Sequence, residues 1–183
     1  RINITNCEVW DHPQRGIYIS GGPGSNKLIN NNIHDNRGGG IYFGSAGSNI
    51  LIGNTITANT SGGGIYFESS GSNTLSGNTI TNNTASGNGG GIYFEYSSGV
   101  NTLAGNTLSG NTSNGSGGGI YFYYSGGTTL TRNVVQSNLS GNGLGVVYLD
   151  LSGETTFSQN TITDNYINTG TTGGIYVTNS ERV

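Results

Sequence analysis

The chain has 183 residues, a formal net charge of −3, 35 glycines and two prolines, with 31% hydrophobic and 8% charged residues. Disordered chains are usually rich in charge and proline; here both are scarce and the apolar residues recur periodically, so order through repetition is expected. The charge balance gives no electrostatic footprint for nucleic acid. No apolar run approaches the ~18 residues of a membrane helix, so neither nucleic-acid binding nor membrane insertion is expected.

In chain order, the first segment places Ile4, Cys7, Val9 and His12 in a frame that later segments write as Leu-x-x-Asn-x-Ile-x-x-Asn. Copies follow at Leu28-Asn31-Ile33-Asn36, Leu51-Asn54-Ile56-Asn59 and Leu75-Asn78-Ile80-Asn83. Three more run Leu103-Asn106-Leu108-Asn111, Leu130-Asn133-Val135-Asn138 and Phe157-Asn160-Ile162-Asn165. After each frame comes a glycine-led apolar strand centred on tyrosine, at Tyr18, Tyr42, Tyr66, Tyr93, Tyr121, Tyr148 and Tyr176. Successive tyrosines are 24, 24, 27, 28, 27 and 28 residues apart. A unit of this length cannot bury its apolar face alone and stacks on its neighbours.

Gly, Asn and β-branched residues crowd every window, which disfavours a helical period. Three short strands per coil fit instead: one on Ile-Tyr-Phe, one around the Leu and one around the second Ile. Alternation then points Ile41 and Phe43 inward and Tyr42 outward, and puts Thr55 and Thr57 outside Ile56. The repeated asparagines fall between strands, where left-handed backbone is common. Stacked at about 4.8 Å, Asn31, Asn54, Asn78, Asn106, Asn133 and Asn160 are expected to form a side-chain amide ladder that satisfies its own polar groups. The distance from the second Asn of a frame to the next tyrosine grows from 6, 6 and 7 to 10, 10, 10 and 11 residues. That variation is expected in one loop column, and such insertions commonly flank a binding face.

The coil pattern resembles the right-handed parallel β-helix repeat over nearly the whole chain. The Gly39-Gly40-Ile41 and Gly90-Gly91-Ile92 turns, with Phe157-Ser158-Gln159-Asn160, resemble polymorphic outer-membrane-protein-like surface adhesin passengers. The expected fold is therefore all-β: one parallel β-helix domain over 1–183, of about seven coils. The resemblance implies an exported, extracellular or cell-surface protein concerned with adhesion or envelope structure.

Tyr42, Tyr66, Tyr93, Tyr121 and Tyr148 are expected to form an outward aromatic stripe beside a column holding Glu68, Glu95 and Asp150. Aromatic faces beside carboxylates suit carbohydrate, although tyrosine also favours strands and stacks on its own kind. Glu68 and Glu95 fall on adjacent coils, a pair that invites a proton or a cation. β-helix polysaccharide lyases and hydrolases place acids on such a face, but they need a third acid, or a basic residue beside a calcium site. Tyr123 interrupts the acidic column before Asp150, and a catalytic function is not expected. Thr55/Thr57, Thr79/Thr81 and Thr161/Thr163 form a broken threonine array, which raises ice binding as a third class. No metal or cofactor is expected.

Cys7 is the lone cysteine and is expected as a small buried residue. The chain opens on Arg1 without a signal-peptide pattern, as a processed or trimmed product would. Sequons occur at Asn3, Asn59, Asn82, Asn111, Asn114 and Asn138. Asn114 is expected to be the most open to glycosylation, because Asn59, Asn111 and Asn138 coincide with ladder positions. The chain starts on a Leu-type strand and finishes on a Tyr strand, so the end of one copy is in phase with the start of another. The expected partners are thus a second copy or adjoining coils, and a polysaccharide or surface glycan.

Overall fold

A computed structural model of the chain, describing residues 1–141, 143–170 and 173–180, is a right-handed parallel β-solenoid. Three parallel sheets of seven strands run its length. The Leu sheet goes from Asn3–Thr5 to Thr155–Ser158, the Ile sheet from Glu8–Trp10 to Thr161–Thr163, and the Tyr sheet from Ile17–Ser20 to Ile175–Thr178. The first and last of the seven coils are therefore six turns apart. Equivalent residues meet without slippage: Leu51 pairs with Leu75, Ile56 with Ile80, and Tyr66 with Tyr93.

The core is made of the inward columns. Leu51, Ile56, Ile65 and Phe67 are fully buried, as are their counterparts in the next coil, Leu75, Ile80, Ile92 and Phe94. Each such side chain contributes about 1.5–3 kcal/mol by leaving water. Phe43, Phe67, Phe94 and Phe122 stack face to face, with centroids 4.8–5.0 Å apart.

Turns are built from single left-handed residues, but these are not the ladder asparagines. In every coil the residue immediately before the ladder position has positive φ, for example Asn30, Gly53, Gly77, Gly105 and Arg132 ahead of Asn31, Asn54, Asn78, Asn106 and Asn133. The ladder asparagine itself must aim its amide along the stack axis, and the residue before it does the turning. A third left-handed residue ends each Tyr strand, from Gly21 to Asn179.

The lengthened segment before the tyrosine is also not plain loop. In the four coils where it reaches 10 or 11 residues, it forms a fourth parallel sheet from Thr84–Ala85, Thr112–Ser113, Leu139–Ser140 and Tyr166–Ile167. Ala85, Ser113 and Ser140 turn inward and are buried. The added residues thus widen the coil with a short strand.

Both expected asparagine ladders are present and buried. Asn54 Nδ2 donates to Asn78 Oδ1 (2.9 Å) and to the Leu28 carbonyl (2.8 Å), and the Asn54 backbone N–H donates to the same Asn78 Oδ1 (2.9 Å). The arrangement repeats from Asn31 to Asn160, and again from Asn36 to Asn165. A third ladder, two residues before the Leu column, joins Asn26, Asn49, Asn73 and Asn101 at 2.8–2.9 Å. It stops where Thr128 replaces asparagine, and the buried Asn101 Nδ2 has no hydrogen-bond partner. Thr128→Asn supplies that acceptor but moves the open amide one coil on, where Thr155 follows, so it is expected to change stability by less than about 1 kcal/mol. A larger shift of the urea midpoint in either direction would show that the position of the gap matters.

Cys7 is exposed rather than buried. It occupies the ladder position of the first coil, where its backbone N–H, not its side chain, meets Asn31 Oδ1 at 3.0 Å.

Candidate functional site

The tyrosine strands carry two outward columns. One holds the seven repeat tyrosines, and the other, two residues on, reads Ser20, Gly44, Glu68, Glu95, Tyr123, Asp150, Thr178. The tyrosines lie outside the Ile/Phe core but are covered by one another. Tyr42 and Tyr121 are 8% and 6% exposed, whereas Tyr18 at the end of the column is 60% exposed. Tyr66 stacks on Tyr93 at 4.8 Å, Tyr93 on Tyr121 at 5.0 Å and Tyr121 on Tyr148 at 4.9 Å. From Tyr66 to Tyr148 the ring faces are turned to each other, whereas Tyr42 meets Tyr66 edge-on.

The acids beside them are engaged. Tyr42 donates its phenol hydrogen to Glu68, and Tyr66 donates to Glu95 one coil further on. Gly44 makes the first contact possible, since a Cβ there would lie 2.7 Å from Tyr42 Cε1. Glu68 and Glu95 are direct neighbours in the register, as expected. The structure also places Arg15 over this column, with its guanidinium carbon 3.9 Å from the Tyr42 ring centroid, close enough for a cation–π contact. Arg15 escaped the sequence reading because it precedes the strand; its spacing of three residues before Tyr18 was the available signal.

Burial, followed by the neighbouring carboxylate, pushes the Tyr42 phenol up to about 12. Tyr66, Tyr93 and Tyr121 are raised too, first by burial and then by Glu95 for the first two and Asp150 for the third. A raised folded-state value means stability is intact below the unfolded value near 10 and is lost as pH climbs through the folded values. Above pH 10 each tyrosine held protonated is expected to cost about 1.4 kcal/mol of stability per pH unit. Alkaline unfolding monitored by circular dichroism and tyrosinate absorbance checks this. Full ionisation of the column within an intact fold near pH 10 would contradict it.

On the Ile sheet, His34 lies between Asp35 (Nδ1 to Oδ2, 2.6 Å) and Glu8 (Nε2 to Oε1, 3.1 Å), and stacks beside Trp10. The Asp35 hydrogen bond, then that of Glu8, raises its pKa. Thr81 donates to Thr57 on the same sheet, and the threonine column is broken at Val134 and Gln136. Asn114 is exposed, as are Asn3 and Asn82, while Asn59, Asn111 and Asn138 are fully buried with both amide atoms bonded. Among the described residues, no group of three or more His, Cys, Asp or Glu side chains is placed to hold a metal ion. Among the described residues, no helix is long and apolar enough to cross a membrane.

The stack of parallel coils, closed by amide ladders and an aromatic stripe, defines a β-helix repeat protein. The chain matches the family described as "Right handed beta helix region" over residues 1–134 and 101–183, and it belongs to that family. No curated protein matches it.

Proposed function

We propose that this β-helix is a non-catalytic structural and adhesive module working at the cell surface or outside the cell. The observation that carries the reading is the engagement of Glu68 and Glu95 by Tyr42 and Tyr66. Carboxylates that already accept phenol hydrogens within a ring stack serve the ladder, and this favours a scaffold over a polysaccharide lyase or hydrolase. Contact of the stripe itself with sugar would use phenol edges and acids rather than ring faces.

Equivalent residues meet in register from coil to coil, so an adjoining coil, from the same chain or a second copy, would lengthen the stack in phase.

The test has two arms. Immobilised protein should retain beads coated with neutral or acidic polysaccharide, and the same protein should release no new reducing or unsaturated ends from those polymers. Turnover in the second arm would make it an enzyme; retention of no coating would remove adhesion to glycans. Protease shaving of intact source cells checks the location, and protection from the protease would count against the surface.

A further inference from the structure

Every coil leaves the Tyr sheet through one left-handed residue, and these are Gly21, Ser45, Ser69, Tyr96, Tyr124, Leu151 and Asn179. Small or turn-forming residues suit this corner. Tyrosine does not: at φ 52° and 46° its Cβ crowds the following carbonyl. Nor does burial compensate, since Tyr96 and Tyr124 are 49% and 45% exposed. Strain of this kind, held without a packing benefit, gathers at functional sites.

The two rings are not scattered. Tyr96 stacks on Tyr124 with centroids 5.4 Å apart and planes 22° apart. Tyr123 stands edge-on to both, at 4.7 Å from Tyr124 and 5.6 Å from Tyr96. Tyr123 is also the residue that interrupts the acidic column, where Glu95 and Asp150 flank it in the register. Three rings therefore form one shelf at the edge of the stripe, with Tyr96 and Tyr124 far more exposed than Tyr42 and Tyr121 in the stripe itself.

Two polar atoms beside the shelf lack partners. Ser125, 4% exposed, has an Oγ with no hydrogen bond, although the same column one coil earlier pairs Ser70 with Ser97 at 3.0 Å. Ser125 lines a shallow depression of about 330 Å³ together with Tyr124, Leu151 and Ser152. Asp150, opposite Tyr123, has a shielded Oδ1 that no donor reaches. Both atoms are shielded from solvent, so the groups a ligand can reach here are the Tyr124 ring and the half-buried Asp150 side chain rather than these two atoms.

We propose that the Tyr96–Tyr123–Tyr124 corner is a binding site for a neutral pyranose oligosaccharide. The C–H face of a sugar ring lies on the exposed tyrosine faces, while its hydroxyls donate to the half-buried Asp150 carboxylate. Glu95 and Asp150 flanking the shelf repel a polyanionic chain, which selects neutral sugars. This rests on the adhesive reading and names where its ligand sits.

The experiment is calorimetric titration of the full chain with hexasaccharides of β-1,4-glucose, β-1,4-N-acetylglucosamine and α-1,4-galacturonate. At least one neutral hexamer is expected to bind, and the galacturonate at least tenfold more weakly. Tyr96→Gly and Tyr124→Gly are each expected to weaken binding tenfold or more, while leaving the urea midpoint unchanged or raised. A structural role would instead lower the midpoint. Tyr124→Ser, carrying the residue that two earlier coils use here, decides the matter should glycine loosen the corner. Binding that survives in Tyr96→Gly/Tyr124→Gly, or self-association lost in that variant with no neutral hexamer bound, overturns the proposal. If the parent chain binds none of the three sugars but still adheres to polysaccharide beads, this site is wrong and the adhesive reading stands.

Discussion

Asn78→Leu is expected to lower the free energy of unfolding by about 3–5 kcal/mol. Asn78 sits at the centre of a ladder and is 1% exposed. Its Oδ1 accepts from the backbone N–H and from the Nδ2 of Asn54, both at 2.9 Å. Its Nδ2 donates to the Leu51 carbonyl and to Asn106 Oδ1, both at 2.9 Å. Leucine matches the volume but orphans the buried Asn54 backbone N–H, at about 1–3 kcal/mol, and takes one bond each from Asn54 Nδ2, the Leu51 carbonyl and Asn106 Oδ1, at about 0.5–1.5 kcal/mol apiece. Losses at neighbouring atoms overlap, which keeps the total below their sum. In a protein whose whole stability is of the order of 5–15 kcal/mol, that is a large fraction. Urea unfolding with an unchanged slope and a much lower midpoint is the expected record. A shift under 1 kcal/mol would show that the amide column is incidental to the fold.

Gly64→Ala is expected to be at least as damaging, for a reason unrelated to backbone torsion. Gly64 has no left-handed φ, so alanine is locally tolerable. The obstruction is the next coil. A Cβ at this position would lie 2.6 Å from the Gly91 carbonyl oxygen, 2.9 Å from Ile80 Cγ2 and 3.1 Å from Asn83 Nδ2. The carbonyl belongs to a backbone already paired along the stack, with the Gly64 and Ile65 N–H groups bonded to Gly90 and Gly91 at 3.0 and 2.9 Å. Relief requires two coils to part, which strains the ladder and the Ile column together. Overpacking ordinarily costs about 1–3 kcal/mol, and more where the backbone must move. The expected outcome is a chain that unfolds at least 3 kcal/mol more easily. Alanine at Gly77, whose Cβ would meet nothing within 4 Å, serves as the control for glycine replacement at a left-handed turn.

These two residues also show what the sequence could and could not disclose. The coil frame was legible because Leu, Asn, Ile and Asn recur at fixed intervals, and the register follows from that repetition. The side of the stack that each tyrosine occupies followed from strand alternation. The left-handed residue was misplaced by one position, because asparagine's general tolerance for that conformation outweighed its specific duty as an axial hydrogen-bonding group. The third ladder went unseen since Asn26, Asn49, Asn73 and Asn101 give way to Thr128 and Thr155. Their constant place two residues before each leucine was the missed signal. The fourth sheet was read as loop, as two-residue strands between glycines leave no period to detect. Tyr96 and Tyr124 looked like ordinary loop residues. Only the closed turns bring them together with Tyr123, at a corner that chain order does not reveal.

The amide ladders have a consequence for the sense of the whole rod. From Asn31 through Asn160, every side-chain oxygen accepts from the earlier coil, while each Nδ2 sends one N–H to the next ladder oxygen in the later coil and returns the other to a backbone carbonyl of the earlier one. The second column, from Asn36 through Asn165, runs the same way. Like the peptide units of a helix, such aligned amides add up and polarise one another. The rod is an arrow. Each column opens on an oxygen that takes the backbone N–H of Cys7 or His12 and runs from there to Asn160 or Asn165, so a coil can be inserted, deleted or added only in the same orientation. Two rods joined nose to nose would reverse that direction at the joint, while nose to tail they would keep it, each column skipping one link where Cys7 and His12 stand in for asparagine.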